Sequence, residues 1–565
     1  MINKKIKVLV KKLKNYNIDG YIVPKNDEFF SEYDIKNRLK VISDFDGSAG
    51  LAIIMMKKNY LFVDGRYTLQ AKQQSGNNYK IIEIHKFMPK NILKNVSLGF
   101  DPSLFTKKNL NLNFGNSLKL IPIKNNLIDE IYQKKISERK PFYSLTNQSV
   151  GESYQSKINR ISKILKLKKV DYLFISSPEN VAWLMNIRGH DNPNSPIPNC
   201  RLIISKDKKI FLIAGAKVTS KIVREKKFKK KQIINPENFV DHINKLNGNT
   251  FIIDALSCSV HTEKILQSNF KIIDEEDPCY MLKAIKNSTE IKNTVDAHLE
   301  DGLALTKFIY WIKNINKKKI TEIDAKNKLA RYRKLNKNYL FPSFDTIAGT
   351  GSNGAIVHYR VSKKSNKTIK KNDLFLCDSG GQYMFGTTDV TRTICFSKPK
   401  KYIKDIFTRV LKGHIAVALT NLNKDNSGKK IDLRARKFLK EVGLDYSHGT
   451  GHGVGFFLNV HEGPQSISKY NNIKIKEGMI LSNEPGYYKS GKFGIRIENL
   501  VYVKKDKKNL YFENLTFTPI EKDLINYKLL NESESNYLFK YNLEIYSKYS
   551  RFLNQKERQW LASLI

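Results

Sequence analysis

The first half of the chain carries one pattern of apolar strands and polar loops twice. NIDGYIVPKNDE (residues 17–28) and KVDYLFISSPEN (169–180) each combine a helix end, an Asp, an apolar strand and a polar loop. KKNYLFVDG (57–65) and KKIFLIAG (208–215) follow them, and both pairs are offset by about 150 residues. Such self-similarity predicts two related α/β domains. A chance likeness between short apolar strands is the alternative.

Helical spacing marks both ends of the chain and the start of a third domain. Apolar residues three or four apart predict an amphipathic first helix: Ile2, Ile6, Leu9, Val10 and Leu13. Ser288 or Thr289 can cap a later helix, with Glu290 in its first turn. From about Tyr527, an aromatic, Lys-rich helical stretch is expected to pack onto the third domain or a partner subunit, and shows no pattern typical of chemistry. The predicted domains are residues 1–145, 146–285 and 286–525, with a helical extension at 526–565.

Composition is typical of a large protein of the cytoplasm. The 565 residues are 41% hydrophobic, which is enough for several cores without a covalent staple. Five cysteines without a CxxC pair argue against a disulfide framework or a cysteine metal site and indicate a reducing compartment. Lysines interrupt the apolar residues at the N-terminus, unlike a signal peptide. No run approaches the roughly 20 apolar residues of a membrane span.

The net charge of +45 raises the question of a nucleic-acid or membrane partner. The lysines are spread along the whole chain, and the densest cluster, at residues 226–231, is short and lies in no nucleic-acid-binding motif. A solvated basic surface that follows from biased composition therefore explains the charge better than a specific nucleic acid does.

Two aspartates are the first candidates for chemistry. DLFLCDSGGQYMFGTTDVTRTICF (residues 373–396) predicts a strand, a glycine-bearing turn and a second strand. A hairpin that turns near Tyr383 and Met384 brings Asp378 and Asp389 nearly opposite each other, at the roughly 4.5–5.5 Å of cross-strand neighbours. Two carboxylates that close repel unless a cation neutralises them. An ordinary polar hairpin is the alternative.

Histidines and glutamates follow in the same part of the chain. HGTGHGVGFFLNVHEGP (residues 448–464) holds three of the ten histidines among glycines that permit close backbone approach. Glu484 ends an apolar strand just before a Pro-Gly break. In GIRIENLVYV (494–503), Arg496 and Glu498 alternate with isoleucines and so share one strand face. Burying a charged pair is costly, so a polar site is favoured over a surface edge or a solvated loop.

Four carboxylates and an imidazole together predict a site for two divalent ions. An oxygen-rich set suits Mn²⁺, with Co²⁺, Fe²⁺ and Zn²⁺ as alternatives. Two ions about 3.5–4 Å apart can share carboxylates and make a bridging hydroxide available at neutral pH, which predicts hydrolysis. His358, in GSNGAIVHYR (351–360), and His461 are further imidazoles suited to orienting a scissile carbonyl or passing protons.

These motifs resemble those of the M24 metallopeptidase family, and within it those of cytosolic three-domain Xaa-Pro aminopeptidases. The third domain carries the resemblance in DSGGQY, TTDVTRT, HGTGHGVG, NVHEGP, SNEPGYY and RIEN. SDFDGSAG (43–50) and FVDGRYTLQA (62–71) are similar to the first domain of such enzymes, and ENVAWLMNIRG (179–189) to the second. The likeness therefore covers essentially the whole chain.

The resemblance implies a role for individual residues. It implies five metal ligands, the second and the last of which bridge the two ions: Asp378, Asp389, His452, Glu484 and Glu498. It implies catalytic histidines that bind substrate or stabilise the transition state: His358, His448 and His461. It also implies a substrate-contacting arginine in the DGRY motif and two pocket residues: Arg66, Tyr488 and Arg496.

The resemblance further implies a pita-bread catalytic domain behind two creatinase-like α/β domains, a homodimer, and two Mn²⁺ ions. The expected activity is removal of an N-terminal residue that precedes proline, whose amide has no N–H and whose ring fixes φ. A prolidase, which cuts only dipeptides and usually has one N-terminal domain, and a methionine aminopeptidase are alternatives of the same fold. A non-enzymatic binding protein on this scaffold is the alternative of another class, against which the intact ligand set argues.

Overall fold

The computed structural model describes residues 2–32, 36–132, 139–315 and 320–565. The chain divides into two compact units, residues 1–280 and residues 281–565. No helix among the described residues is long and apolar enough to cross a membrane.

The first sheet of the N-terminal unit lies within residues 2–32 and 36–132. Its six strands are β1 (Gly20–Pro24), β2 (Leu51–Met55), β3 (Tyr60–Val63), β4 (Lys80–Glu83), β5 (Ser97–Phe100) and β6 (Lys119–Pro122). Their order is β4-β3-β2-β1-β5-β6, and β2 runs antiparallel to both of its neighbours while the other pairs are parallel. The helices are α1 (Ile2–Asn15), α2 (Arg38–Ser43), α3 (Thr68–Ser75), α4 (Pro89–Ile92), α5 (Lys107–Phe114) and α6 (Leu127–Ile131). As predicted, α1 is amphipathic and buries Leu9 and Leu13.

The second sheet of this unit lies within residues 139–280. Its six strands are β8 (Tyr172–Ile175), β10 (Arg201–Ser205), β11 (Ile210–Ile213), β12 (Ile233–Ile234), β13 (Thr250–Ile253) and β14 (Lys271–Asp274). A separate short pair consists of β7 (Tyr143–Ser144) and β9 (Ile187–Arg188). The helices are α7 (Asn147–Val150), α8 (Tyr154–Leu167), α9 (Pro178–Met185), α10 (Ala216–Arg224), α11 (Phe239–Asn244) and α12 (Val260–Gln267), followed by α13 (Cys279–Ala284).

The two sheets repeat one topology, which confirms the predicted pair of related α/β domains. The second sheet has the order β12-β11-β10-β8-β13-β14, and β10 is antiparallel to both of its neighbours. The apolar strands β1 and β8 each stand fourth in their sheet, and β3 and β11 each stand second. Alternate residues of β1 enter two different cores, Tyr21 and Val23 in one and Ile22 in the other, so this sheet buries both faces.

The second unit contains α14 (Ser288–Asn314), α15 (Glu322–Lys334), α16 (Lys401–Ala418), α17 (Gly428–Lys440), α18 (Glu532–Tyr549) and α19 (Gln555–Ala562). Its strands are β15 (Tyr339–Pro342), β16 (Ile347–Thr350), β17 (Leu374–Ser379), β18 (Gly381–Tyr383), β19 (Gly386–Thr387), β20 (Val390–Cys395), β21 (Gly451–Gly453), β22 (Glu462–Ile467), β23 (Ile480–Asn483), β24 (Gly486–Lys489), β25 (Phe493–Arg496), β26 (Asn499–Asp506) and β27 (Asn509–Asn514). The described strands form sheets in the orders β15-β18-β19, β16-β17-β20, β22-β21-β23-β26-β27 and β24-β25.

The start of α14 differs by one residue from the prediction. Asn287 caps the helix, since its side chain accepts the backbone N–H of Glu290 and the Glu290 carboxylate accepts the backbone N–H of Asn287. This reciprocal pair requires the cap three residues before the glutamate. Ser288 and Thr289, the predicted caps, therefore lie inside the first turn.

The C-terminal helices pack onto the rest of the second unit, which is one of the two predicted arrangements. Leu538, Tyr541 and Ile545 of α18 share a buried apolar cluster with Phe407 of α16 and Ile495 of β25. The extension is therefore part of the core of this unit.

Candidate metal centre

Two aspartates lie at the base of a hairpin formed by β17 and β20. Asp378 pairs with Thr391 across the ladder, and Asp389 immediately precedes β20. As predicted, the chain turns between Tyr383 and Gly386, which pair with each other. The prediction that they lie nearly opposite each other is wrong by two residues, because the turn is centred one residue later than the midpoint between them. The aspartates are diagonal neighbours on one face of the hairpin.

Burial determines the electrostatics of this pair. Asp378 and Asp389 are 8% and 5% exposed, and the Oδ1 atom of each has no hydrogen-bond partner among the described residues. Burial, followed by the charges of Asp378 and Glu484, raises the pKa of Asp389 well above its ordinary value. Buried carboxylate oxygens without donors are unfavourable unless a cation coordinates them.

His452, in β21, lies beside two carboxylates. Its Nε2 is 3.6 Å from Oδ2 of Asp389 and 3.5 Å from Oε1 of Glu484. Its Nδ1 is 2.9 Å from the carbonyl oxygen of Gly453, which assigns the ring proton to Nδ1 and leaves Nε2 as an acceptor. Ligand atoms at about 2.1 Å from one ion are about 3–3.5 Å apart, so these spacings suit a shared cation.

A serine that the sequence analysis missed joins His452 to Glu484. The backbone N–H of His452 donates to Oγ of Ser482 (3.0 Å), and this hydroxyl donates to Oε1 of Glu484 (3.2 Å). Ser482 belongs to β23 and Glu484 directly follows that strand, as predicted for the glutamate. The signal for Ser482 is its place in the SNEPGYY motif, two residues before a predicted ligand.

Glu498 lies at a break between two strands. The sequence pattern predicts one strand over residues 494–503, but β25 ends at Arg496 and β26 begins at Asn499. The chain changes its pairing partner there, from β24 to β23, so a continuous ladder is impossible. Thr391, a further residue missed from the sequence, accepts the backbone N–H of Glu498 on its carbonyl oxygen (3.1 Å) and donates its hydroxyl to Oε2 of Glu498 (2.6 Å).

These side chains converge in one cluster, in which the two aspartates and Glu498 are buried while His452 and Glu484 are half-buried. Potential ligand atoms of Asp389, His452 and Glu498 all lie within 4.8 Å of one another. Burial, followed by the charges of Asp389 and Glu484, raises the pKa of Glu498 well above its ordinary value. With Asp378, the cluster contains four mutually repelling carboxylates, an arrangement that cations stabilise.

Arg496 links this cluster to a tyrosine and a histidine. Its Nη2 donates to Oδ2 of Asp378 (2.6 Å), and its Nη1 donates to Oη of Tyr488 (2.6 Å). The Tyr488 hydroxyl lies 2.9 Å from Nε2 of His448, whose Nδ1 lies 2.7 Å from the carbonyl oxygen of Gly449. His448 Nδ1 therefore carries the ring proton, and Nε2 accepts the hydroxyl proton of Tyr488. Burial raises the pKa of Tyr488 to about 12, which keeps this hydroxyl protonated at neutral pH.

The other predicted residues differ in their surroundings. His461 is exposed, and its ring centroid lies 4.3 Å from that of His452. His358 is half-buried and follows Val357, whose carbonyl oxygen is 3.5 Å from Nη2 of Arg496. Arg66 lies in the other unit, in the turn after β3, where it forms two hydrogen bonds with the carboxylate of Asp64. The predicted contact of Arg66 with substrate stays a prediction.

Comparison with known proteins covers the chain from end to end. Profiles of the Creatinase/Prolidase N-terminal domain match residues 5–131 and 133–290. Profiles of metallopeptidase family M24 and of the C-terminal region of that peptidase match residues 293–505 and 508–564. A probable Xaa-Pro aminopeptidase P from Laccaria bicolor is 37% identical over 97% of this chain and 91% of its own length. The chain belongs to metallopeptidase family M24.

Solved structures extend this relation to the fold of the M24 peptidase. An X-prolyl aminopeptidase from Caenorhabditis elegans, described as a cytosolic enzyme with a di-nuclear active site, matches 100% of this chain and 99% of its own, with a TM-score of 0.92 and 29% identity. A prolidase from Thermococcus sibiricus covers 66% of this chain and 98% of its own, with a TM-score of 0.53 and 25% identity. The predicted architecture is confirmed: two creatinase-type domains precede a pita-bread catalytic domain.

The residues of the M24 peptidase fit a pair of divalent ions. The cluster offers the orphaned Oδ1 atoms of Asp378 and Asp389 and the acceptor Nε2 of His452. Among the described contacts of its carboxylates, the guanidinium of Arg496 neutralises Asp378, which leaves an excess of negative charge. Oxygen-rich donors with excess negative charge are the chemistry that hard divalent cations prefer.

Proposed function

We propose that this M24 peptidase is an aminopeptidase that releases the N-terminal residue of peptides whose second residue is proline. The proposal rests on the cluster of four carboxylates, three of them buried, and one imidazole. That cluster belongs to a chain related over its whole length to proteins named Xaa-Pro aminopeptidases. A hydrolytic centre of this kind needs no covalent intermediate on the protein.

Five residues would hold two divalent ions, with the second and the last shared between them: Asp378, Asp389, His452, Glu484 and Glu498. The oxygen-rich set favours Mn²⁺, and Co²⁺, Fe²⁺ or Zn²⁺ can take its place. When bound, the ions would supply a water that is nucleophilic at neutral pH and would neutralise charge on the substrate carbonyl oxygen. The protein's own contribution is to fix these ligands through Ser482, Thr391 and Arg496.

Three histidines are proposed to bind the substrate or to stabilise the transition state. His461 has an exposed imidazole beside His452, so it can donate a hydrogen bond to the scissile carbonyl or pass a proton to the departing nitrogen. His358 would hold the substrate next to Arg496. His448 accepts a hydrogen bond from the Tyr488 hydroxyl, which in turn accepts one from Arg496, so His448 helps to hold Arg496 in the pocket. Arg66 is proposed to contact the peptide from the N-terminal unit.

Proline in the second position explains why a dedicated enzyme is needed. Its nitrogen forms a tertiary amide without an N–H, and its ring fixes φ. A peptidase that recognises the scissile amide through its N–H therefore binds such a bond poorly, whereas a centre that acts on the carbonyl oxygen does not need the N–H.

The proposed domain organisation is residues 1–145 and 146–285 for the creatinase-like domains, 286–525 for the catalytic domain and 526–565 for the extension. All five cysteines are buried free thiols, which supports a cytoplasmic location. A homodimer without a membrane or nucleic-acid partner is proposed, and light scattering of the purified protein tests it.

A prolidase is the second candidate, because the catalytic centre alone does not separate the two activities. The experiment compares hydrolysis of Xaa-Pro with that of Xaa-Pro-Yaa by the Mn²⁺-reconstituted protein. We expect the tripeptide to be cleaved, and a peptide with Ala in second position to be cleaved far more slowly. Efficient cleavage of dipeptides with tripeptides untouched would assign the chain to the prolidases.

A further inference from the structure

Arg392 is a buried arginine behind the metal-binding cluster. It lies in β20, three residues after Asp389, and is 2% exposed. Its Nη1 donates to the carbonyl oxygen of Glu498 (2.6 Å) and to that of Thr391 (2.8 Å). The guanidinium therefore holds the main chain of Glu498, one proposed shared ligand, against β20, the strand that directly follows Asp389, the other.

The opposite side of the same guanidinium faces the C-terminal segment. Nε donates to the carbonyl oxygen of Pro519 (3.0 Å), and Nη2 donates to that of Thr518 (2.7 Å). Nη2 also lies 3.0 Å from the hydroxyl oxygen of Tyr541, which accepts from it, and 2.8 Å from Oδ1 of Asn499, the residue after Glu498. Tyr541 belongs to α18 of the extension and is 3% exposed.

The Tyr541 hydroxyl is itself fixed by several contacts. It donates to the carbonyl oxygen of Thr518 (3.0 Å) and accepts the backbone N–H of the same residue (3.2 Å). Its ring stacks on that of Phe517, with the centroids 6.4 Å apart. One hydroxyl therefore joins α18 to the segment before it and to Arg392.

We propose that Arg392 and Tyr541 are positioning residues through which the C-terminal extension orients Glu498 in the metal centre. This inference rests on the proposed function, since it takes Asp389 and Glu498 as shared ligands. Groups that orient a metal ligand, without touching the metal, commonly change metal affinity or activity by about 10–100-fold when they are replaced. The extension thus stabilises the binding of the two metal ions as well as the apolar core.

The test compares two tyrosines of the same helix. Tyr541→Phe removes the hydroxyl that accepts from Arg392. Tyr537→Phe is the matched control: its ring stacks on Tyr541 at 6.2 Å, but its hydroxyl accepts from Asn514 and forms no described hydrogen bond with Arg392. Each variant of the full chain is titrated with Mn²⁺ in a chelator-buffered series, and the metal-free forms are compared by thermal unfolding.

We expect Tyr541→Phe to bind Mn²⁺ about 3–10-fold more weakly than the wild type, the effect of losing one hydrogen bond. Tyr537→Phe should bind Mn²⁺ with an affinity within about twofold of the wild type, whatever its effect on the thermal unfolding of the metal-free protein. Arg392→Lys should bind Mn²⁺ about 10–100-fold more weakly than the wild type. If the wild type binds two ions and both tyrosine variants bind them equally well or equally weakly, the inference is wrong. A wild type that binds no metal would instead refute the proposed function, and this inference with it.

Discussion

Replacing Arg496 by lysine tests whether the three hydrogen bonds that its guanidinium donates hold the proposed metal ligands in place. The guanidinium donates to Asp378 and Tyr488 at 2.6 Å and, through Nε, to the hydroxyl of Thr391 at 3.1 Å. A lysine retains the positive charge, but its ammonium cannot reproduce a planar fork that reaches three separate acceptors. If it keeps the ion pair with Asp378, the contacts with Tyr488 and Thr391 are lost.

The structure sets the size of the expected effect. Each lost hydrogen bond involves a charged donor and contributes about 1.5 kcal/mol at the lower end of the usual range, so two contribute about 3 kcal/mol. That corresponds to about 100-fold in an equilibrium or rate constant. Replacement of groups that orient metal ligands typically costs about 10–100-fold, so we expect a loss near the upper end.

The assay measures kcat/KM for Arg-Pro-Pro, together with Mn²⁺ affinity, in Arg496→Lys and in a matched Arg409→Lys control. Arg409 has a partly exposed side chain that donates to the carbonyl oxygen of Phe438 (3.0 Å), and no described contact joins it to the cluster. Arg409→Lys should keep both kcat/KM and Mn²⁺ affinity within about twofold of the wild type. An Arg496→Lys variant that keeps both quantities within about threefold of the wild type would refute the reasoning.

Three further changes probe separate parts of the account. Asp389→Ala should lose both ions, because a shared carboxylate serves each of them, and elemental analysis that still finds two ions per chain would contradict this. His461→Ala should keep two ions while kcat falls by about 10²-fold; loss of metal would instead make His461 a ligand. Burial raises the pKa of Asp277 to about 6, against hydrogen bonds from Cys279 and Asn180 that lower it. Its contribution to stability is therefore complete below about pH 4 and is lost as pH rises through 6, on the order of 3 kcal/mol. Asp277→Asn should flatten this decline in urea unfolding of the N-terminal unit, and an unchanged pH dependence would contradict it.

Features encoded by neighbouring residues could be predicted from the sequence. The spacing of Asp378 and Asp389 about a turn predicts that they lie on one face of a hairpin, although the register offsets them by two residues from a directly opposed pair. The apolar strands β1 and β8 repeat in sequence and occupy the same place in two sheets.

Features that depend on distant segments could not be predicted in this way. Arg392 and Tyr541 are 149 residues apart in sequence, and nothing in either local pattern indicates their contact. The alternation of the apolar segment around Glu498 alone favours a continuous strand. The strand breaks at this residue because the residues before it pair with β24 and the residues after it pair with β23, in two different sheets. The local pattern does not locate the cap of α14, because three consecutive residues, Asn287 to Thr289, all suit that position, and only the reciprocal bond to Glu290 selects among them.

The most direct test of the proposed activity identifies the products formed from Arg-Pro-Pro by the Mn²⁺-reconstituted protein. Mass spectrometry should find free arginine and Pro-Pro, formed in equal amounts and absent when the metal is removed by a chelator. Arg-Pro with free proline, or an intact tripeptide under conditions in which Arg-Pro is hydrolysed, would contradict the assignment as an Xaa-Pro aminopeptidase.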